Sequence, residues 1–247
     1  MFDGVHLGHQ KVIECVNRFA AEKQGESVVI TFDRHPKSIT ENRPASFITS
    51  LNHRLSLLER LGVDNAVVLG FDQKLAQMAA GDFIKEIMVE RLGVKCVVLG
   101  FNCRFGKNRE GNSALVNTLA VHYGFEAHGC PPVAYKDQVI SSTAIRQAIL
   151  DGDLETAAGM LGRPVSIIGT VVKNAGRGRT LGYPTANLNL HHEVRPPRGV
   201  YGTMAFWSGQ WYSALTNIGM RPTFAKEAPV SESETMEIEV HIVNFQE

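Results

Sequence analysis

The chain of 247 residues lacks the features of a secreted, membrane-spanning or disulfide-rich protein. Its four cysteines, Cys15, Cys96, Cys103 and Cys130, include no Cys-x-x-Cys pair, so neither a zinc ribbon nor a disulfide scaffold is indicated. No apolar run approaches the ~18 residues of a membrane helix, and no basic segment with an apolar run behind it marks a signal peptide. These absences predict a cytoplasmic protein with reduced thiols, mostly in or near its core.

An excess of basic charge is also absent. Lys plus Arg and Asp plus Glu both total 25, so the formal net charge is zero. A general polyanion binder needs a basic surplus; we therefore expect small-molecule substrates, no nucleic acid and no membrane partner, and the oligomeric state stays open. Apolar residues make up 44%, which suits a globular protein of one large or two modest domains.

The first ~160 residues alternate between two patterns. Valine-rich apolar runs, typical of strands buried in a parallel sheet, lie at 27–32, 65–71 and 94–101. Helical patterns lie at 9–23, 51–61, 82–92 and 112–123. Left-handed helix caps are expected at Gly62, Gly93 and Gly124. The alternation predicts a doubly wound α/β domain, in which ligands bind beyond the carboxyl ends of the strands.

The pattern changes after a helical hairpin pattern at 142–162. Strand-like segments without a convincing helix follow at 164–173, 199–207, 211–219 and 236–245. They predict an antiparallel sheet or a small barrel. We therefore expect two domains, residues 1–162 and 163–247.

A glycine-rich turn with two imidazoles opens the first helical pattern. The stretch "FDGVHLGHQ" places Gly4, His6, Gly8 and His9 at a helix start. Backbone N–H groups there would bind an anion, and the imidazoles could stabilise charge in phosphoryl or nucleotidyl transfer. An incidental surface turn explains a lone His-x-x-His more simply, and a metal site is disfavoured because no third ligand is evident.

Two further stretches of the first half have the composition of ligand sites. "SSTAIR" places Ser141, Ser142 and Thr143 at a helix start with Arg146 one turn later. A plain helix cap is the simpler explanation, and a phosphate cradle is the alternative. "GFNCRFGKNREG" (100–111) follows a predicted strand and carries three glycines and four charged side chains, as expected of a loop near a nucleotide.

In the second half, "GRGRTLGYPTANLNL" (176–190) combines glycines and arginines with Thr185 and Asn187. The glycines would let the backbone wrap a phosphate chain, which the arginines would neutralise. Thr185 and Asn187 offer oxygen ligands for Mg²⁺. A basic surface hairpin explains this stretch equally well.

The stretch "TMEIEVHIVNF" has a period of two, which separates an apolar and a polar face. The apolar face would contain Met236, Ile238, Val240 and Ile242, and the polar face Glu237, Glu239 and His241. A carboxylate there could serve as general base to a hydroxyl substrate or could simply face solvent. The spacing does not choose between Glu237 and Glu239.

Together, the motifs of the first half and "TFDRHP" (31–36) resemble the adenylyltransferase half of the bacterial bifunctional riboflavin kinase/FMN adenylyltransferases. "GTVVKNAGRGRTLGYPTANL", "RGVYGTMAF", "NIGMRPTF" and "IEVHIVNF" resemble the kinase half. The resemblance implies a Rossmann-like nucleotidyltransferase domain with a parallel sheet, then a small antiparallel β-barrel kinase domain. It implies conversion of riboflavin to FMN and of FMN to FAD, with ATP and Mg²⁺.

The resemblance also implies roles for single residues. Glu239 would be the kinase base, while His6, His9 and Arg146 would stabilise the adenylyl transition state. Thr185 and Asn187 would bind Mg²⁺ and the ATP phosphates. The expected nucleotide- and flavin-side residues are Gly4, Gly8, Asn102, Phe105, Gly106, Ser141, Ser142, Thr143, Gly176 and Arg179. Cys103 departs from the family pattern, where an aromatic residue is usual.

Two alternative functions remain, and the ends of the sequence lead to one further expectation. The chain could be a nucleotidyltransferase with another acceptor, or a catalytically impaired flavin- or nucleotide-binding fragment. Family members continue beyond both ends of this sequence, including a sheet strand before Phe2. Losing four buried aliphatic side chains would remove ~6–12 kcal/mol, comparable to the stability of a whole domain. We therefore expect a marginal or inactive adenylyl site and a compromised kinase site.

Overall fold

A computed structural model describes residues 1–35, 46–172, 184–191, 193–220 and 236–245. Its α-helices are α1 (Leu7–Glu22), α2 (Leu51–Arg60), α3 (Gln73–Ala76), α4 (Ala80–Asp82), α5 (Ser113–Tyr123), α6 (Ser142–Asp151) and α7 (Leu154–Leu161). A π-helix, Phe83–Arg91, continues α4, and a 3₁₀ turn covers Lys107–Arg109.

Eleven strands occur in the described residues. In the first half they are β1 (Val28–Phe32), β2 (Asn65–Leu69), β3 (Cys96–Gly100), β4 (Glu126–Cys130), β5 (Ala134–Tyr135) and β6 (Gln138–Val139). In the second half they are β7 (Gly169–Val172), β8 (Ala186–Leu190), β9 (Gly199–Trp207), β10 (Gln210–Met220) and β11 (Met236–Ile242).

The first half is the predicted α/β unit with parallel strands. β1 pairs with β2 and β3 pairs with β4, both in parallel, whereas β5 and β6 form a short hairpin. Within the described part of the chain, no ladder joins the β1–β2 pair to the β3–β4 pair. The three predicted strands are confirmed, but β2 is not buried as expected, because each of its residues is exposed or half-buried. β4, with the sequence EAHGC, was not predicted because this stretch has neither an apolar run nor an alternation of apolar and polar residues.

The predicted helices are confirmed, and so are their glycine caps. Gly62, Gly93 and Gly124 have φ of 73°, 59° and 74°, in the left-handed region that glycine adopts without a Cβ clash. Around α1 and α2, Val5, Ile13, Val29 and Leu58 form a buried cluster. Other clusters lie beneath β3–β4 and between α6 and α7.

The second half is a five-stranded antiparallel sheet with the order β7-β8-β11-β10-β9. A period of two is visible in β10, where Ala214, Thr216 and Ile218 are buried and Leu215 is exposed. In β11, for which this period was predicted, only Ile238 is buried. Among the described residues no ladder connects β7 with β9, so closure into a barrel stays a prediction, as does the boundary at residue 162.

A buried carboxylate connects the two halves. Glu193 accepts hydrogen bonds from the Ser50 N–H (2.7 Å) and the Ile168 N–H (3.2 Å), and its Oε1 lies 3.1 Å from His53 Nδ1. Burial alone would raise the pKa of Glu193, but its hydrogen bonds to His53 and Ser50 outweigh burial and lower it. Glu193 is thus held as a carboxylate between α2 and the start of the second half.

All four cysteines are free, with Cys130 buried and the other three half-buried. Among the described residues, no helix combines the length and the apolar character needed to cross a membrane.

Candidate active sites

The loop before α1 has a strained backbone. Gly4 and Val5 have φ of 83° and 41°, and positive φ is unusual for a β-branched residue. Such a conformation persists only where the surroundings impose it. The Gly4 N–H donates to Thr49 Oγ1 (3.0 Å), and a Cβ on Gly4 would lie 3.1 Å from the Ile48 side chain. Glycine is therefore required here for both its φ and the space available.

His6 is fixed in one tautomer at the start of α1. Its Nδ1 accepts a hydrogen bond from the His9 N–H (3.3 Å), which places the imidazole proton on Nε2. Burial lowers the pKa of His6 to about 4, and the charge of Arg163 contributes in the same direction. His6 is therefore neutral near pH 7 and acts as a hydrogen-bond donor rather than as a cation.

His9 stacks on His6 with ring centroids 3.6 Å apart. Burial and the neighbouring His6 lower the pKa of His9 well below its usual value. His9 Nδ1 is buried without a hydrogen-bond partner in the described part of the chain. The expected pair of imidazoles is therefore present, closely stacked and uncharged.

Asp3 organises this site, although sequence reasoning passed over it. Its Oδ1 accepts from the backbone N–H groups of Ile48 (2.8 Å) and Thr49 (3.2 Å), and its Oδ2 lies 2.7 Å from Arg146 Nη2. The Ser142 hydroxyl donates to the Asp3 carbonyl oxygen (2.9 Å). The sequence did offer one indication of Asp3, because it lies in the same glycine-rich stretch as His6.

The residues at the hydroxyl-rich start of α6 have different roles: one caps the helix, and others bind Asp3. Ser141 Oγ accepts from the Ala144 N–H (3.2 Å) and so caps the helix. Ser142 and Arg146 instead hold Asp3, and Arg146 Nε also donates to the Ser46 carbonyl (3.0 Å). Thr143 is exposed. Ser142 and Arg146 thus join the His6 loop, whereas Ser141 behaves as the simpler capping explanation proposes.

Arg54 is a second residue that the sequence did not reveal. It is fully buried, and its Nη1 donates to Thr31 Oγ1 (2.7 Å) and to the Phe32 carbonyl (3.1 Å). Its Nε and Nη2 have no hydrogen-bond partner among the described residues, and the guanidinium lies 5.3 Å from the centroid of the Phe47 ring. Burial lowers the pKa of Arg54, and its charge is one of the causes that keep His9 neutral.

The predicted ligand loop at 100–111 is closed by its own backbone. Phe105 and Gly111 exchange two hydrogen bonds (3.2 and 2.9 Å), and the Phe105 ring packs against Phe83 at 5.8 Å. Gly106 has φ of 72°, and a Cβ there would lie 2.7 Å from the Ala80 backbone. Asn102 is exposed. The flavin- and nucleotide-side roles of Asn102, Phe105 and Gly106 stay predictions.

In the second half, strand register brings the predicted residues together. Glu239 of β11 is paired with Asn187 of β8 on one side and with Asn217 of β10 on the other. Cross-strand partners present their side chains on the same face of a sheet. Glu239 thus stands in a row with two amides, of which Asn217 was not predicted. Glu237 is paired with Gly219 instead.

A hydrogen bond between β11 and the segment before β8 positions Thr185. His241 Nδ1 lies 2.8 Å from the carbonyl oxygen of Pro184, and the exposed Thr185 follows directly. Thr185 and Asn187 supply the hydroxyl and amide oxygens that a hard cation such as Mg²⁺ accepts. Gly176 and Arg179 lie outside the described residues.

Another group of side chains has the composition of a metal site. Ligand atoms of Cys96, Glu126 and His128 lie within 4.8 Å of one another at the amino ends of β3 and β4. The Lys23 ammonium group lies only 2.6 Å from Glu126 Oε1, so a cation already neutralises this carboxylate. We assign no metal to this group.

Comparison with known families defines the class of protein. The family model described as FAD synthetase matches residues 1–144, and the one described as riboflavin kinase matches residues 161–247. The two matches fall on the α/β half and on the antiparallel half, respectively. The chain is therefore a two-domain transferase of FAD biosynthesis.

Curated relatives cover both halves at once. Bifunctional riboflavin kinase/FMN adenylyltransferases from Haemophilus influenzae and Bacillus subtilis are 35% and 37% identical to the chain, each over 99% of it and over 78% and 76% of their own length. The protein of that name from Escherichia coli K12 is 36% identical over 91% of the chain and 72% of its own length. The chain belongs to the bifunctional riboflavin kinase/FMN adenylyltransferase family.

A solved structure shares the fold. A crystal structure from Streptococcus pneumoniae, described as a macrolide-efflux protein, superposes with a TM-score of 0.81 and 33% identity over 100% of this chain and 78% of that one.

Proposed function

We propose that the two halves catalyse successive steps of FAD synthesis, with the kinase site on the β8–β11–β10 face and the adenylyl site around Asp3 and His6. As a member of its family, the enzyme uses ATP, riboflavin and FMN and forms FAD. The observation that carries the assignment is that Arg146 binds the buried Asp3 carboxylate and Ser142 donates to the Asp3 backbone carbonyl. Asp3 belongs to the same loop as the stacked imidazoles of His6 and His9. The domain limits 1–162 and 163–247 and a small barrel for the second domain belong to the same proposal.

At the adenylyl site, a phosphate oxygen of FMN would attack the α-phosphorus of ATP. The new bond joins the two phosphates, and the bond to the β-phosphate breaks to release pyrophosphate. The His6 Nε2–H and backbone N–H groups at the start of α1 would donate to the phosphate oxygens as charge develops. No protein nucleophile is required.

At the kinase site, Glu239 would accept the proton of the ribityl 5′-hydroxyl while that oxygen attacks the γ-phosphorus of ATP and ADP leaves. The amides of Asn187 and Asn217 flank Glu239 in the strand register. Thr185 and Asn187 would hold Mg²⁺, whose charge helps to neutralise the phosphates. His241 would act indirectly, because it holds the Pro184 carbonyl beside Thr185.

The test is to incubate the purified chain with ATP and Mg²⁺, starting either from riboflavin or from FMN, and to separate riboflavin, FMN and FAD by chromatography. The proposal predicts FAD from both starting materials, which would also show that the expectation of an inactive adenylyl site is wrong. FMN as the only product from riboflavin would restrict activity to the kinase half. Binding without any product would favour the impaired binding fragment, and AMP transfer to an acceptor other than FMN would favour the alternative nucleotidyltransferase.

A further inference from the structure

Arg163 connects the segment between the two halves with the strained loop that carries His6. Its Nη2 donates to the Gly4 carbonyl (2.7 Å), and its Nη1 donates to the Val5 carbonyl (3.2 Å). The preceding Gly162 packs so closely on α1 that a Cβ there would lie 2.5 Å from Leu7 Cδ2. The segment after α7 is therefore docked on the start of α1.

The two carbonyls that Arg163 binds belong to the two residues with positive φ. The Val5 carbonyl also accepts from Gln10 Nε2 (2.9 Å), so two donors hold it in place. Because a trans peptide is planar, its carbonyl and the following N–H point in opposite directions. Holding the Val5 carbonyl toward Arg163 therefore turns the His6 N–H to the other side and fixes the backbone from which the imidazole projects.

We propose that Arg163 is a positioning residue for adenylyl transfer, which keeps the strained Gly4–Val5 backbone, and hence His6, in the working geometry. This inference rests on the assignment of His6 to the adenylyl site. Arg163 follows the last helix of the first half and donates to backbone carbonyls of the loop, so its effect on the chemistry would pass through His6.

Electrostatics supports the same role. Arg163 is half-buried, and burial lowers its pKa to about 10, so the guanidinium stays charged near pH 7. Its charge adds to burial in keeping His6 neutral. Buried Glu193, from the second half, lies near enough to oppose the lowering of the Arg163 pKa. Arg163 thus lies between the His6 loop and the carboxylate that joins the two halves.

The chain offers an internal control, because both reactions can be measured on the same molecule. We expect Arg163→Ala to lower kcat for FMN adenylylation at least about tenfold, with the KM values for ATP and FMN and the riboflavin kinase rate nearly unchanged. Arg163→Lys should restore part of kcat, since an ammonium group can donate to the same carbonyls without the fixed fork of a guanidinium. Added guanidinium ion should partly rescue the alanine variant.

Two control variants separate this inference from the site assignment. Arg18→Ala removes an exposed arginine of α1 that forms an ion pair with Glu22 (3.7 Å) and lies over the Phe19 ring (4.9 Å). It should leave both rates unchanged. His6→Ala should lower adenylylation. If it does not, the proposed adenylyl site is wrong. If His6→Ala lowers the rate and Arg163→Ala does not, only the role of Arg163 is overturned.

A measurement that needs no turnover completes the test. NMR titration of His6 in the full chain should show its pKa rising when Arg163 is replaced by Gln, because both a nearby positive charge and the clamp on the loop are lost. An unchanged His6 pKa would overturn the proposal. A parallel fall of both activities together with the melting temperature would also overturn it, since Arg163 would then be only a structural clamp.

Discussion

The two proposed active sites are built by different means. The adenylyl site depends on side chains that bridge distant segments, as when Asp3 binds the 48–49 backbone and Arg146. The kinase site depends on strand register, which alone places Glu239 between Asn187 and Asn217. A substitution at the first site therefore removes structural support as well as chemistry, whereas a substitution at the second leaves the sheet backbone intact.

The largest expected effect is on the kinase reaction. Glu239→Gln should lower the riboflavin kinase rate by about 10²–10⁴-fold, the usual contribution of a general base, with little loss of stability and no change in adenylylation. Rates of FMN formation and thermal unfolding would be measured together. Glu237→Gln, on the same face but paired with Gly219, is the matched control. A larger loss of kinase rate in Glu237→Gln than in Glu239→Gln would assign the role of general base to Glu237.

Next comes a change that should affect both structure and chemistry at the adenylyl site. Asp3→Asn removes the charge that faces Arg146, and we expect it to destabilise the protein by about 3 kcal/mol and to reduce adenylylation while the kinase rate persists. Denaturant unfolding and the two rates would show this. Asp153→Asn changes an exposed helix cap, where Asn serves as well as Asp. This control should change neither the stability nor the rate of adenylylation. Unaltered stability of Asp3→Asn would contradict the organising role of Asp3.

The pH dependence of stability should reflect Glu193. Its pKa is lower in the folded protein than its ordinary value of 4.5, so the unfolded chain binds more protons in the interval between them. Stability from Glu193 is therefore complete above pH ~4.5 and is lost as the pH falls through the folded pKa. Glu193→Gln should cost about 2 kcal/mol near pH 7 and should flatten this acid dependence, as measured by unfolding from pH 7 to 3. An equally steep dependence in Glu193→Gln would assign the effect to other carboxylates.

The smallest effect should come from Ser141 and should decide what this hydroxyl does. Ser141→Ala removes the cap of α6 and should destabilise the protein by about 1 kcal/mol, whereas Ser141→Asn should preserve stability. The KM for ATP in adenylylation would be measured for both variants. If Asn preserves stability but the KM rises, Ser141 contacts the nucleotide in addition to capping the helix.

The sequence predicted those features that depend on neighbouring residues. The valine-rich strands and the glycine caps follow from local patterns, and both were confirmed. β11 forms as a strand, but of its predicted apolar face only Ile238 is buried. β4 was missed because its polar residues carry no strand pattern. Asp3 and Arg163 were missed because their partners are remote: Asp3 binds residues 48, 49 and 146, and Arg163 binds residues 4 and 5.

The choice between Glu237 and Glu239 also lies beyond what a local sequence pattern can predict. Both lie on the polar face that the period of two predicts, so the alternation treats them alike. The family resemblance points to Glu239, and the pairing of β11 with β8 and β10 supports that choice because it places Glu239 opposite Asn187 and Asn217. Pairing partners lie on other strands and are set by the tertiary fold.

With Glu239 as the proposed kinase base, the register of β11 also makes kinase turnover a measure of correct strand pairing. A slip of one residue against β8 would turn Glu239 to the buried side and bring Ile238 to the surface, because side chains alternate between the faces of a strand. Such a misregistered sheet could retain its hydrogen-bond ladder and most of its β-sheet circular dichroism, yet it would be unable to phosphorylate riboflavin. The fraction of refolded molecules that turn over riboflavin would then count those whose strands paired correctly.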